Sequence, residues 1–320
     1  MNAEQSLLPA AATSAASRKR RWGPHLWPYL FALPFVLTYA AFQLYPVLYS
    51  FVLSLHDWNG IGEKTYIGFK NYVQLWTNDP LFIKSLWNTL IMMLMFIPLT
   101  LILGLTLAYW TFQLTRGKRL FQTINVLPYI TTPVAIGFIF SYLFDWQTGL
   151  VNLLLTKFGW LQEGFYWLQD PWGSRAIIAL MVIWRNLGYF MIIYMAGMTV
   201  IPQDVYEAAK MDGSTGFHTF RRITMPLLRN ITVFLVVTSV IGGLQLFDEP
   251  KLLYGGWSGS AQVGGPDNTA LTVIWKFVDE SFISNTRFGY ASSIAYSLFV
   301  IIVFFSILSY RLTAPKEDKR

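Results

Sequence analysis

Six long runs of nearly uncharged, apolar residues constrain this chain more than any other feature. A helix that crosses hydrocarbon needs about 20 such residues. Runs of that order fall near residues 27–54, 86–113, 121–145, 176–200, 227–248 and 288–311. Charged residues make up 13% of the 320-residue chain, about half the share of an ordinary soluble domain. Unpaired backbone groups are too costly in lipid, so only helices and closed barrels span it. The runs do not alternate with period two, which excludes a barrel. The expected fold is therefore an all-α integral membrane protein with six transmembrane helices. Pro34, Pro46, Pro98, Pro128 and Pro133 lie inside the runs and are expected to kink them.

Residues 1–25 read as a disordered tail that ends in the basic cluster Arg18, Lys19, Arg20 and Arg21. The first run is much longer than a signal-peptide core, so it reads as an uncleaved span. Residues 26–312 form the membrane domain, and 313–320 a second short tail. Six spans put both termini on one side. The tails and the loops after spans two and four carry 15 Lys and Arg residues, against eight in the other three loops. By the positive-inside rule both termini are cytoplasmic. The net charge of +7 follows from this asymmetry and implies no nucleic acid. The outer segments are long and rich in Trp, Gly and Asn, which suits either a cap over a cavity or ordinary interfacial loops. No internal repeat is evident.

Enzyme chemistry finds little support. The chain has no cysteine and three histidines. His25, His56 and His218 are too far apart in sequence to suggest a metal or a catalytic set. No G-x-x-x-x-G-K-[ST] loop occurs, so the chain itself holds no ATP. No metal or other cofactor is expected on it.

The loop between spans four and five, residues 201–226, is the most structured of the connections. Pro202 suits a first helical turn. Asp204 and Glu207 lie near the positive end of that helix dipole. Gly213 is a natural helix stop. Val205, Ala208, Ala209 and Asp212 recur at three- and four-residue spacing, with the two alanines keeping one side small. Ser214 or Thr215 can cap the next helix. On these grounds alone the loop is either a docking element or an interfacial amphipathic helix.

Glu207-Ala208-Ala209, followed at fixed spacing by Gly213, Ile223, Met225 and Pro226, resembles the EAA loop of ABC importer permeases, E-A-A-x3-G-x9-I-x-L-P. Met225 replaces the usual Leu. Trp184-Arg185, Asp212-Gly213-Ser214, Phe247-Asp248-Glu249-Pro250 and Phe288-Gly289-Tyr290-Ala291 are similar to the sugar-importer branch, the permeases like those for maltose and glycerol phosphate. The resemblance spans about residues 27–312. It departs where an inserted segment near 257–263 separates Gly255-Gly256 from Gly264-Gly265-Pro266.

This resemblance implies a bacterial inner-membrane subunit that pairs with a second, non-identical homologous permease. It implies a cytoplasmic ATPase dimer that uses ATP and Mg²⁺, and an external solute-binding protein that delivers a carbohydrate. Glu207, Ala208, Ala209, Asp212, Gly213, Ile223 and Pro226 would then couple to the ATPase. Candidates for the solute pathway are Arg185, Asn186, Tyr189, Gln245 and Asp248. An intramembrane arginine either faces a cavity or pairs with an acid such as Asp248 or Asp145. The neutral residues equally suit sugar hydroxyls or helix–helix hydrogen bonds. A gradient-driven transporter or channel is the alternative, but it calls for several buried ionisable residues, and only Arg185 stands out inside a span.

Overall fold

The computed structural model describes residues 23–255, 263–284 and 286–313. Most of the tail expected at 1–25, most of the inserted segment near 257–263, and the tail at 314–320 lie outside the described residues. Two compact units are distinguished, residues 1–49 and 50–320.

In the first unit, α1 (Gly23–Tyr39) runs into a π-helical turn, Ala40–Leu44, and then into α2 (Tyr45–Ser54). Tyr45 N–H bonds to Ala40 O across the wide turn. Pro46 follows one residue later. It has no N–H to give and its ring crowds the carbonyl four residues back. A widened turn relieves that conflict. Pro34, by contrast, lies within α1 without ending it.

The second unit begins in α2 with a short hairpin after it, β1 (His56–Asp57) paired with β2 (Thr65–Tyr66). This is the one departure from an all-α chain among the described residues. Then come α3 (Lys70–Thr77), α4 (Pro80–Gln113), α5 (Lys118–Ile130), α6 (Pro133–Leu143), α7 (Leu150–Lys157) and α8 (Pro171–Val200). The loop helices are α9 (Gln203–Met211), α10 (Gly216–Thr219) and α11 (Met225–Leu227). They lead into α12 (Arg229–Leu244), α13 (Asp248–Gly255), α14 (Val273–Val278) and α15 (Phe288–Thr313).

Three helices begin alike, with an acceptor side chain followed by proline. Asp79 accepts from Phe82 N at 3.0 Å, Asp170 from Gly173 N at 2.6 Å, and Thr132 from Ala135 N at 3.4 Å. The side chain satisfies an otherwise orphan N–H, and proline at the first position forgoes a donor that would have had no partner. At 34 residues, α4 is about 51 Å long. It therefore extends well beyond a hydrocarbon core of about 30 Å. It stays helical through Pro98.

Four segments are long and apolar enough to cross a membrane, Pro28–Ser54, Pro80–Gln113, Pro171–Val200 and Phe288–Thr313. The count rises to six if each of two bent pairs is one span. The third expected span, 121–145, is not straight. α5 and α6 meet at 94°, where Thr131 and Thr132 turn extended ahead of Pro133. Proline disfavours a helical residue before it, which ends α5. The fifth, 227–248, is also corrected. Its approach Gly216–Leu227 meets α12 at 66°, and α12 stops at Leu244.

The core packs α4 against α8, with α5 on α8 and α12 between α4 and α15. Gly188 of α8 lets the α5 backbone come close. A Cβ there would lie 2.0 Å from Asn125 O.

Beside the start of α4 sits a charged knot that the sequence did not mark. Lys276 of α14, 5% exposed, bonds Asp79 at 2.9 Å and Glu280 at 3.3 Å. Tyr290 of α15 donates its hydroxyl to Asp79 at 2.5 Å. Burial pushes the Asp79 carboxyl up. Tyr290, Lys276 and the Phe82 N–H outweigh burial and hold it below its ordinary 3.8. A depressed carboxyl stabilises the fold above that ordinary value and loses its contribution as pH falls through the folded pKa. The unfolding temperature of the purified complex is therefore expected to fall as pH drops below about 4. Asp79→Asn should flatten that part of the profile. An unchanged acid limb in Asp79→Asn would show that this knot is not responsible.

Candidate functional site

A cavity of about 650 Å³ opens among α4, α5, α8, α12 and the start of α13. All five residues singled out as pathway candidates line it: Arg185, Asn186, Tyr189, Gln245 and Asp248. Their convergence follows from local geometry. Arg185, Asn186 and Tyr189 occupy successive positions along one side of α8. Gln245 and Asp248 lie where the chain leaves α12, because Gln245 and Leu246 N–H groups turn back onto Gly242 and Gly243 carbonyls. That turn brings the Phe247-Asp248-Glu249 stretch beside α8.

Aromatic surface forms part of the wall. Tyr129, the last-turn residue of α5, stacks on Tyr189 with ring centroids 4.9 Å apart and planes 13° apart. Phe96, Phe190 and Phe247 add further ring surface. Asn186 Nδ2 donates to Val182 O at 2.8 Å.

The arginine finds a different acid from those expected. Arg185 Nη1 donates to Glu249 Oε1 at 2.6 Å. Neither Asp248 nor Asp145 takes that role. Asp145 Oδ1 instead accepts from Gln147 N, Thr148 N and Thr148 Oγ1 at 2.8–3.0 Å, closing a local turn. Glu249 is 7% exposed, whereas Asp248 is exposed. Sequence reasoning quoted Glu249 within a motif but did not rank it. Two adjacent acids at a helix start look alike until the fold turns one toward α8. Burial of a carboxylate demands a partner, and Arg185 supplies it. Arg185 Nε is buried and has no hydrogen-bond partner among the described residues.

The second site is the loop 201–226. α9 begins just after Pro202, which stands at the cap position rather than within the first turn. It ends in a Schellman arrangement. Gly213 N–H reaches Lys210 O at 3.0 Å and Ser214 N–H reaches Ala209 O at 2.9 Å. That geometry requires the positive φ of Gly213, +72°, which glycine adopts without strain. Thr215, rather than Ser214, caps α10 by accepting from His218 N at 3.4 Å.

The expected face of Val205, Ala208, Ala209 and Asp212 is divided. Ala209 is buried at 5% exposure, while Glu207, Ala208 and Asp212 are exposed. A recess of about 390 Å³ is lined by Ala209, Asp212, Gly213 and Ile223, among others. Pro226 stands in α11, two residues beyond a π-helical turn, Phe220–Thr224. Met225 N–H bonds to Phe220 O across that turn, the same device as at Pro46. Tyr109 at the far end of α4 donates to Gly216 O at 2.7 Å and packs its ring 4.5 Å from that of Phe220. The loop is thus tied to a core helix that also lines the cavity.

Residues 100–317 match the family of binding-protein-dependent transport system inner membrane components. A lactose transport system permease protein of Rhizobium radiobacter is 36% identical over 311 residues, covering 97% of this chain and all of that one. An arabinooligosaccharides transport system permease protein of Bacillus subtilis is 30% identical, covering 96% and 94%. The crystal structure of a bacterial ABC transporter that imports the acidic polysaccharide alginate contains a chain with a TM-score of 0.76. It is 22% identical, with 90% of this chain and 96% of that one covered, and this likeness speaks for the fold. Residues on both sides of the cavity and the whole 201–226 loop fall inside the matched family region, and the chain belongs to the binding-protein-dependent transport system inner membrane components, the permease subunits of ABC importers.

Proposed function

We propose that this permease carries a carbohydrate, an oligosaccharide or a related solute, through the cavity beside Arg185. In this reading each bent pair is one span, giving six, with both termini cytoplasmic. An external binding protein delivers the solute. A second homologous permease completes the pathway. A cytoplasmic ATPase dimer with ATP and Mg²⁺ drives it, and this chain binds neither.

The observation that carries the reading is the form of the 201–226 loop. It is a capped, self-contained helix that leaves apolar surface unpartnered among the described residues. Met211 is 88% exposed and Phe217 73% exposed, on either side of the Gly213 turn, with Glu207 and Ala208 exposed beside them. Large apolar side chains held out by a rigid turn suit a protein groove. Glu207 offers a carboxylate to a basic residue at its rim. Because Tyr109 ties this loop to α4, movement of the ATPase would reach the cavity wall. Closure and opening of that dimer would favour different arrangements of the spans. The carbohydrate assignment rests on stacked aromatic faces and neutral polar groups in the cavity, together with the sugar permeases among its relatives.

The test uses the complete importer in proteoliposomes. Saccharide-loaded binding protein is expected to stimulate ATP hydrolysis and uptake of labelled saccharide together. Glu207→Lys and Gly213→Asp should cut uptake at least about tenfold, a coupling loss near 1.4 kcal/mol, while membrane insertion stays intact. Normal uptake in both variants would remove the loop from the coupling role. A lack of stimulation by any saccharide-loaded binding protein would remove the solute class.

A further inference from the structure

The segment between α6 and α8 is inside out for a loop in water. The inward side of α7 is polar. Asn152, 4% exposed, donates to Trp146 O and Phe165 O and accepts from Phe165 N and Trp167 Nε1, at 2.7–3.2 Å. Thr156 Oγ1 donates to Asn152 O at 2.8 Å. The outward side is apolar, with Leu150 50% exposed, Leu153 57% and Leu154 44%. Phe158 at 68% and Trp160 at 77% continue it, their rings 6.4 Å apart.

A helix facing water has the opposite arrangement. Leaving large apolar side chains in water forfeits about 1.5–3 kcal/mol each. Two further features indicate what covers this face. Lys157 shares the outward side in the last turn of α7, amid the leucines. A dry protein interface would have to bring an acid to that ammonium. At a lipid surface its stem lies along the apolar layer while the charge reaches the headgroups. The Phe158–Trp160 pair has the composition of the aromatic belt at a membrane boundary. The face also continues a membrane-type surface, since α6 exposes Ile139 by 46% and Tyr142 by 64% within a bent pair apolar enough to be a span.

We propose that α7 and the Phe158–Trp160 turn form a lipid anchor, lying in the headgroup–acyl boundary of the bilayer with the leucine face toward the acyl chains. The segment is then part of the membrane surface rather than a cap in water. It holds α6, and through it the 94° break that presents Tyr129, at a set depth.

The chain has no native cysteine, so a nitroxide can be placed by Leu150→Cys or Leu154→Cys alone. The assembled importer is reconstituted in phosphatidylethanolamine–phosphatidylglycerol vesicles, with the unsubstituted chain as background. Labels at both sites are expected to relax strongly with oxygen and weakly with a water-soluble nickel chelate. Their depth should be about 5–10 Å below the phosphates. A label at Arg116→Cys, exposed in the loop between α4 and α5, should show the reverse preference. Strong nickel relaxation at 150 and 154 would place the face in water and overturn the proposal. Weak relaxation by both agents would place it under a protein partner and also overturn it. If either substitution prevents assembly, Lys157→Cys gives the same three-way reading, with a shallower depth expected.

Discussion

Gly188→Ala is expected to lower the unfolding temperature of the assembled permease sharply, and Gly188→Leu to prevent its assembly. The added Cβ would stand 2.0 Å from Asn125 O, 2.4 Å from Asn125 C and 2.8 Å from Val126 N. These are backbone atoms, so no rotamer change makes room. α5 must move away from α8, or the Asn125 peptide must distort. Overpacking of a tight core costs about 1–3 kcal/mol even where side chains can yield, and here they cannot. The effect reaches function because α5 carries Tyr129 onto Tyr189. Separating the helices would unstack that pair at the cavity wall. Gly242→Ala is the control, since among the described residues nothing lies within 4 Å of a Cβ there. Thermal unfolding and uptake should fall together for Gly188 variants, with the fold of Gly242→Ala unaffected. Equal stability for the two alanine variants would refute the close approach of α5 and α8.

Glu249→Ala is expected to impair both stability and transport more than removal of both charges does. The variant leaves Arg185 facing the cavity wall without its acid. Breaking one side of a buried pair costs about 3–5 kcal/mol. Arg185 is a quarter exposed on its side chain, so water recovers part of that and about 3 kcal/mol is the expected scale. Arg185→Met with Glu249→Met removes both desolvation penalties and should regain most of the stability. Uptake need not return with it, because the cavity would then lack its fixed charges. A double-mutant cycle on unfolding temperature measures the coupling. A coupling near zero would mean that the 2.6 Å contact does not persist in the assembled membrane protein.

Much of the architecture was legible in composition. Long uncharged runs are read almost directly by lipid, since spanning requires length, apolarity and internal hydrogen bonding. Helix ends were legible too, because caps and stops act within a turn. Gly213 is a stop for a reason contained in its own backbone, whereas Pro133 was expected only to kink a continuous span and instead follows the end of α5. The candidacy of Arg185, Asn186, Tyr189, Gln245 and Asp248 rested on local signals, polar or aromatic residues within or beside apolar runs, and the fold brings them to one cavity.

Pairings across the fold were not legible. Asp248 and Glu249 are adjacent acids with the same local environment. Only the turn after Leu244 turns Glu249 toward α8 and leaves Asp248 exposed. Lys276 read as a loop cation until α4, α14 and α15 closed around it. Residues 150–157 read only as part of a long outer segment, and the fold alone turns Asn152 inward to gather hydrogen bonds and leaves the leucines outside. By itself the sequence marked which runs are long and apolar enough to cross lipid and where α9 stops. Those decisions depend on interactions within a few residues or with a uniform solvent. Tertiary structure alone decided which acid meets Arg185, how close α5 approaches α8 and which face of α7 is outermost, because each depends on atoms supplied by segments far away in the chain.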